Sequence, residues 1–261
     1  MEVVTTGMDT EQVAQVMDFA ISLGEQVLVR GGELWRVENV LNDIFHTYDL
    51  QETGIFMLPH TLIISTKATG EETVIRQRNV GSIVVDMDEL SRLNTMIRAI
   101  VAEKPEPEKL SKLLNDAIKG KTYSKPMTLL GMICALLSLN YFIGGGWKEA
   151  IFIALGISIV MGNELYLSDI PGTNKMAVNA VGSFVVGALD LIATRIGFIS
   201  DPYLVMVVTA IGLVPGIPLI NSCREMLCGR ILCGGLLFMQ AFMETLAVVC
   251  GFAIAISFLG G

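Results

Sequence analysis

The property that most limits what this chain can fold into is an abrupt change of solvent near Lys125. Of its 18 Lys and Arg residues, 13 lie before Pro126, and so do 19 of its 26 Asp and Glu residues. Residues 126–261 are almost continuously apolar. One soluble core cannot absorb an apolar block of that length, because about 20 apolar residues already cross the roughly 30 Å of hydrocarbon in a bilayer. The expectation is a soluble α+β N-terminal domain, 1–125, followed by an all-α polytopic membrane domain, 126–261, of about five transmembrane helices. Function narrows to transport, signalling or intramembrane chemistry.

A hydrophobic content of 52% suits such a protein better than an average globular one. The net charge of −8 offers no basic face for nucleic acid, so no nucleic-acid partner is expected. The start, MEVVTTGMDTEQ, is acidic and has no apolar h-region, so no signal peptide is read and the front domain is expected in the cytoplasm. All five cysteines (Cys134, Cys223, Cys228, Cys233, Cys250) fall in the apolar half and read as small apolar residues, not as disulfides. Cys223, Cys228 and Cys233 recur every fifth residue, which winds around a helix. Zinc ligands come as closely spaced pairs with His partners, and none is near, so neither metal nor cofactor is expected.

In the front segment, Asp9 and Gln12 have the spacing of a capping box. Val13, Met17, Ala20, Gly24 and Val27 then recur at helical intervals up to a Gly31-Gly32 break. A second helix carries Leu34, Val37, Leu41, Ile44 and Tyr48. GIFMLP, TLIISTK and ETVIRQR are short β-rich runs separated by turns at Pro59-His60 and Ala68–Glu71, an antiparallel meander. Asp86 with Glu89 opens another capped helix, and a short helix through Leu110 and Leu114 leads toward the membrane. Both histidines, His46 and His60, lie here, but no nucleophile elbow, phosphate loop or HExxH motif accompanies them, so no catalytic residue is assigned. Trp35, Arg36 and Glu38 read either as a helix packing face or as ligand contacts. Arg76 and Arg78 alternate on a strand, the pattern of a solvated sheet face.

In the apolar half, spans are expected at about 127–143, 149–167, 176–195, 203–220 and 231–259. With the front domain inside, the inner flanks carry Lys112, Lys119, Lys121, Lys125, Lys175, Arg224 and Arg230, and the outer flanks only Lys148 and Arg195. The lipid bilayer is then a direct partner of a multi-pass cell-membrane protein. Small residues pair at Gly131/Ala135, Ser183/Gly187, Gly212/Gly216 and Gly251/Ala255, spacings that let helix backbones approach.

Polar residues within this half carry more information. Glu244 lies mid-span one turn after Gln240, on the same side. An acid at that depth faces a bundle interior or cavity, where it carries protons or makes a structural hydrogen bond. Asp190 and Arg195 sit near a span end, as an interfacial anchor or a site. Glu164, Asn163 and Asp169 read as flank, and Asn179 opens the third span, placed to pair across helices. The strongest local feature is LVPGIPLINSCRE, residues 213–225. Pro215-Gly216-Ile217-Pro218 removes two backbone donors and breaks the helix, and a break at membrane depth survives only where protein or a cavity satisfies it. Transporters aim such half-helix ends at anionic groups. Asn221 and Ser222 then offer hydrogen bonds, and Arg224 a fork for a carboxylate. The alternative is a prolyl kink with Arg224 and Glu225 as inner-face anchors.

LVPGIPLINSCREMLCGRILCG with its following long span, together with GGELWRVENVLNDIFHTYDL, VDMDELSRLNTMIRAI and MAVNAVGSFVVGAL, resembles the threonine/serine exporter (ThrE) family over nearly the whole chain, in its YjjP-like N-terminal half. Glu225 stands where that family usually has Asp. The resemblance implies export of a small hydrophilic carboxylate, threonine or serine, with a dicarboxylate such as succinate as the alternative. It also implies that a second-half membrane partner of the same family completes the exporter. A membrane sensor or hydrolase working through the front domain is the competing class.

Overall fold

The computed structural model describes residues 8–68, 72–81, 83–120, 123–167 and 174–260, without the side chains of 163–167. The turn residues 69–71, Lys121, Asp169 and the side chains of Asn163 and Glu164 therefore lie outside the described residues. Among the described residues the chain forms ten helices and one three-stranded sheet.

The first helix opens on a reciprocal cap. Asp9 accepts from the Gln12 amide at 2.8 Å, and its own N–H donates to Gln12 Oε1 at 3.2 Å, so two donors that a helix start leaves without partners are satisfied. Helix α1 (Thr10–Val29) and helix α2 (Leu34–Thr47) flank the double-glycine break. Strands β1 (Gln51–Leu58), β2 (Thr61–Lys67) and β3 (Thr73–Asn79) pair antiparallel in chain order. Alternation on β2 buries Leu62, Ile64 and Thr66, the face that meets α1. Arg76 and Arg78 of β3 do more than face solvent: they reach Asp18 and Glu25 of α1 at 2.5 and 3.8 Å.

Helix α3 (Met87–Glu103) is capped by Asp86, which accepts from the Glu89 amide at 2.9 Å. The Glu89 side chain does not complete a box. It lies buried against Arg30 at 2.9 Å. Helix α4 (Pro107–Ile118) starts on a proline, whose missing N–H costs nothing in a first turn, and packs on α1 and α3. The Tyr48 hydroxyl donates to the Pro105 carbonyl at 2.6 Å, and burial pushes its phenol up to about 12.

The apolar half contains α5 (Lys125–Phe142), α6 (Trp147–Leu167), α7 (Lys175–Arg195), α8 (Pro202–Leu213), α9 (Gly216–Leu227) and α10 (Ile231–Leu259). These helices correct the expected fold class of a separate soluble domain followed by about five spans. Among the described residues three helices, α5, α7 and α10, are long and apolar enough to cross a bilayer, and α8 with α9, bent by 54°, gives at most a fourth. The physical reason lies in length. At 1.5 Å per residue, the 12 residues of α8 reach only about 18 Å, and the proline-glycine break stops 203–220 from continuing as one straight span. Helix α6 is not among the three, its last turn lying beyond the described side chains.

Two compact units result. One is Met1–Thr122 with Asn221–Leu236, and the other is Tyr123–Ile220 with Leu237–Gly261. The first unit is therefore not built from the charged front segment alone.

In the second unit, Leu136, Ile153, Ile157, Val205 and Val208 form one apolar core and Val160, Val186, Met206, Val248 and Phe252 another. Two of the small-residue pairs meet each other. A Cβ on Gly187 of α7 would lie 3.0 Å from the Ala255 Cβ of α10, and one on Gly251 would lie 2.3 Å from the Ala180 carbonyl oxygen and 2.9 Å from the Ser183 Cβ. The α7 and α10 backbones approach this closely because no side chain stands between them.

Gly251→Leu is expected to force these helices apart and cost about 1–3 kcal/mol, read as a lower thermal midpoint of the purified full chain in detergent. In an alkaline absorbance titration the Tyr48 phenol is expected to ionise near 12, with Tyr48→Phe removing that step. Because the folded value lies above the free one, the stabilisation from the neutral buried phenol is complete below about pH 10 and is lost as pH rises through 12.

Candidate functional site

The helix break falls where the prolines require it. Helix α8 ends at Val214 in extended backbone, φ −66° and ψ 128°. Pro215 sits in the link, and α9 restarts at Gly216 with Pro218 in its first turn, where the missing N–H is not needed. Along α9, Asn221 is half-buried, Ser222 is buried and Arg224 is exposed on one side.

In the first unit the charged residues of α9, with Arg230 just before α10, converge on the N-terminal part of α2. Glu33 occupies the N-cap of α2, yet its side chain caps nothing. It pairs with Arg224, whose guanidinium also lies 5.6 Å from the centre of the Trp35 ring, within cation–π range. The capping role passes to Glu225. Its Oε1 accepts from the Trp35 amide at 3.1 Å, and only 1% of its side chain is exposed. A carboxylate on the first-turn N–H groups of a helix answers both an orphan donor and the positive end of the helix dipole.

A local turn closes this network. Gly229 takes φ +84°, and the amide of Arg230 donates to the Glu225 carbonyl at 2.9 Å, the backbone of a glycine-terminated helix end. That turn brings the Arg230 side chain back to Glu225 Oε2 at 3.4 Å and onto Glu38, which lies on α2 one turn beyond Leu34. Cys233 Sγ donates to the Met57 carbonyl of β1 at 3.2 Å. Three acids and two arginines therefore form one chain of contacts. Sequence reading singled out Trp35, Glu38 and Arg224 but missed Glu33, Glu225 and Arg230 as partners; three charges within residues 224–230 of an apolar half were the available signal.

In the second unit Glu244 is nearly buried. Gln240 donates to its Oε1 at 3.3 Å and Lys175 Nζ lies 3.7 Å from its Oε2. The i, i+4 pairing of Gln240 and Glu244 is the one their spacing indicated. Asp190 is buried within α7, and the Thr194 hydroxyl donates to its backbone carbonyl. His46, in the last turn of α2, and His60, between β1 and β2, are both exposed. Among the described residues no group of three His, Cys, Asp or Glu side chains could hold a metal ion.

Long apolar helices, one interrupted by a prolyl bend, make this an integral membrane protein. The threonine/serine exporter (ThrE) family matches residues 18–259, and the chain belongs to that family. It is similar to a protein named threonine/serine exporter from Corynebacterium glutamicum, at 22% identity over 255 residues that take in 95% of this chain and 52% of that protein. The chain thus spans about half the length of the curated relative it matches. No solved structure matches the chain.

Glu225→Ala leaves the Trp35 amide and the Arg230 guanidinium without their buried partner and is expected to cost about 3 kcal/mol. Arg224→Ala, whose side chain is 54% exposed, is expected to cost less than about 1 kcal/mol. Thermal unfolding of the two purified variants beside the parent chain measures the contrast.

Proposed function

We propose that this chain is one half of a secondary exporter of small hydrophilic carboxylates, with threonine and serine as substrates and a proton gradient as the driving force. The observation that carries the reading is the family match across residues 18–259. The relative's printed name supports the substrate class. Because the match takes in 52% of that relative, a second-half membrane protein of the same family is the proposed partner. The N-terminal part faces the cytoplasm in this reading, since Lys112 and Lys119 precede the first apolar helix, Lys125 opens it, and Lys148 alone closely follows it.

The proposed substrate-binding residues are Pro215, Gly216, Pro218, Asn221, Ser222 and Arg224. The break frees backbone groups at the start of α9, Asn221 and Ser222 add hydrogen bonds, and Arg224 exchanges Glu33 for the substrate carboxylate, one planar fork for one carboxylate. Glu244, supported by Gln240, and Asp190 are the proposed proton-coupling acids. Alternating access follows from rearrangement about the bend, and a dicarboxylate such as succinate would engage the same arginine.

Inverted membrane vesicles turn export into accumulation. Labelled threonine and serine are expected to accumulate when the second-half protein is co-expressed. Arg224→Gln and Glu244→Gln are each expected to lose that accumulation while still inserting in the membrane. Full flux in both variants removes the site assignment, and flux of succinate alone reassigns the substrate.

A second reading, a membrane sensor, draws on a cleft of about 720 Å³ between α3 and α4, lined by Arg92, Met96, Ile100, Lys109 and Leu113. Threonine or serine binding to the full chain with no flux under any condition favours it.

A further inference from the structure

Helix α7 is the most buried of the three long apolar helices, and its buried side carries three polar residues. Asn179, Ser183 and Asp190 are 2%, 0% and 1% exposed. At about 100° per residue, positions 179, 183, 186 and 190 fall within roughly 60° of arc. A Cβ on Gly156 of α6 would lie 2.9 Å from Val186 Cγ1 and 3.4 Å from Thr209 Oγ1. Thr209 of α8 and Val186 of α7 therefore meet the same position of α6. Along α7, Asn179 and Ser183 are about 6 Å apart and Ser183 and Asp190 about 10.5 Å apart on the helix axis, and Val186, which shares its α6 neighbour with Thr209, falls inside the longer interval.

Each of the four polar side chains has an oxygen without a hydrogen-bond partner: Asn179 Oδ1, Ser183 Oγ, Thr209 Oγ1 and Asp190 Oδ2. A buried polar atom left that way costs about 1–3 kcal/mol. Four such atoms on two adjoining helices that are otherwise mostly apolar mark a polar strip inside the unit. Groups of this kind in membrane helices mark ion and proton routes.

Charged groups are few on the described parts of the neighbouring helices. Helix α8 has no Asp, Glu, Lys, Arg or His, and its Tyr203 is exposed. Helix α6 has Lys148 and Glu149 in its first turn, with Glu149 accepting from the Ser200 amide at 3.2 Å, and Glu164 beyond the described side chains. Helix α10 contributes Glu244, both of whose carboxylate oxygens already have partners, Gln240 and Lys175. Lys175 and Arg195 are the first and last residues of α7.

We propose that Asn179, Ser183, Thr209 and Asp190 form a proton path, with Asp190 as the group that holds the proton. Each of the two hydroxyls can accept one hydrogen bond and donate another, and the Asn179 oxygen accepts, so a proton entering the strip meets a polar group at each step. At Asp190 a hydronium gives its proton to Oδ2, the carboxylate becoming a neutral acid and the hydronium becoming water. The reverse transfer to water on the other side resets the group. The exporter reading supplies what the proton drives; the site itself stands on the geometry of α7 and α8.

The test reads the carboxyl group directly. In infrared difference spectra of the purified full chain in liposomes across a pH step, a protonated carboxyl gives a C=O stretch that shifts in D2O. A band present in the parent is expected to vanish in Asp190→Asn, to move but persist in Asp190→Glu, and to remain in Glu244→Gln. Ser183→Ala and Thr209→Val are expected to keep the band and slow its hydrogen–deuterium exchange several-fold. A spectrum unchanged by Asp190→Asn, loss of the band in Glu244→Gln, or parental exchange rates in both hydroxyl variants overturns the proposal. No substrate enters the measurement, so its failure leaves the exporter reading standing, and absent flux leaves this measurement decisive.

Discussion

A carboxylate removed from water must be answered by donors, and Glu225 is the residue on which the first unit's membership depends. It accepts from the Trp35 amide, 190 positions away in the chain, and from Arg230 five positions on. Either partner alone would leave a buried charge half satisfied. Together they fasten the segment 221–236 to the start of α2, so residues from the apolar half complete a unit made otherwise of the charged N-terminal part. Glu33, released from capping, is free to hold Arg224. An arginine proposed to recognise a carboxylate is thus oriented by one, with the Trp35 ring beside it.

In the second unit the governing constraint is close backbone approach. Gly187, Gly251 and Ala255 let α7 and α10 meet almost without side chains. Attraction between membrane helices rests on packing and hydrogen bonds, since lipid tails compete with every apolar contact. The same closeness excludes lipid from Ser183 and its neighbours, which is how polar side chains can be kept inside so apolar a unit.

Features that depend on neighbours three or four residues apart were legible in advance. The Asp9–Gln12 box, the Asp86 cap, the three-strand meander and the Gln240–Glu244 pair are all set by spacing along the chain. The five-span count was not legible. Hydropathy measures how apolar a segment is, whereas crossing a bilayer also needs unbroken length, and the bend after α8 takes that away. Arg76 and Arg78 show the same limit at smaller scale, since alternation put them on one face but could not say that Asp18 and Glu25 would cover it.

What the amino-acid sequence alone determined is the inventory: a charged front segment, apolar helices, a proline-glycine break and the residues that resemble an exporter family. Each follows from local backbone chemistry or from composition. Tertiary structure decided which of those residues meet. Glu225 caps a helix that its position in the chain does not suggest, and Thr209 of α8 meets the same position of α6 as Val186 of α7. Such pairings are set by packing between segments far apart in the chain, where hydrogen-bond satisfaction and close approach choose among many partners that periodicity leaves equivalent.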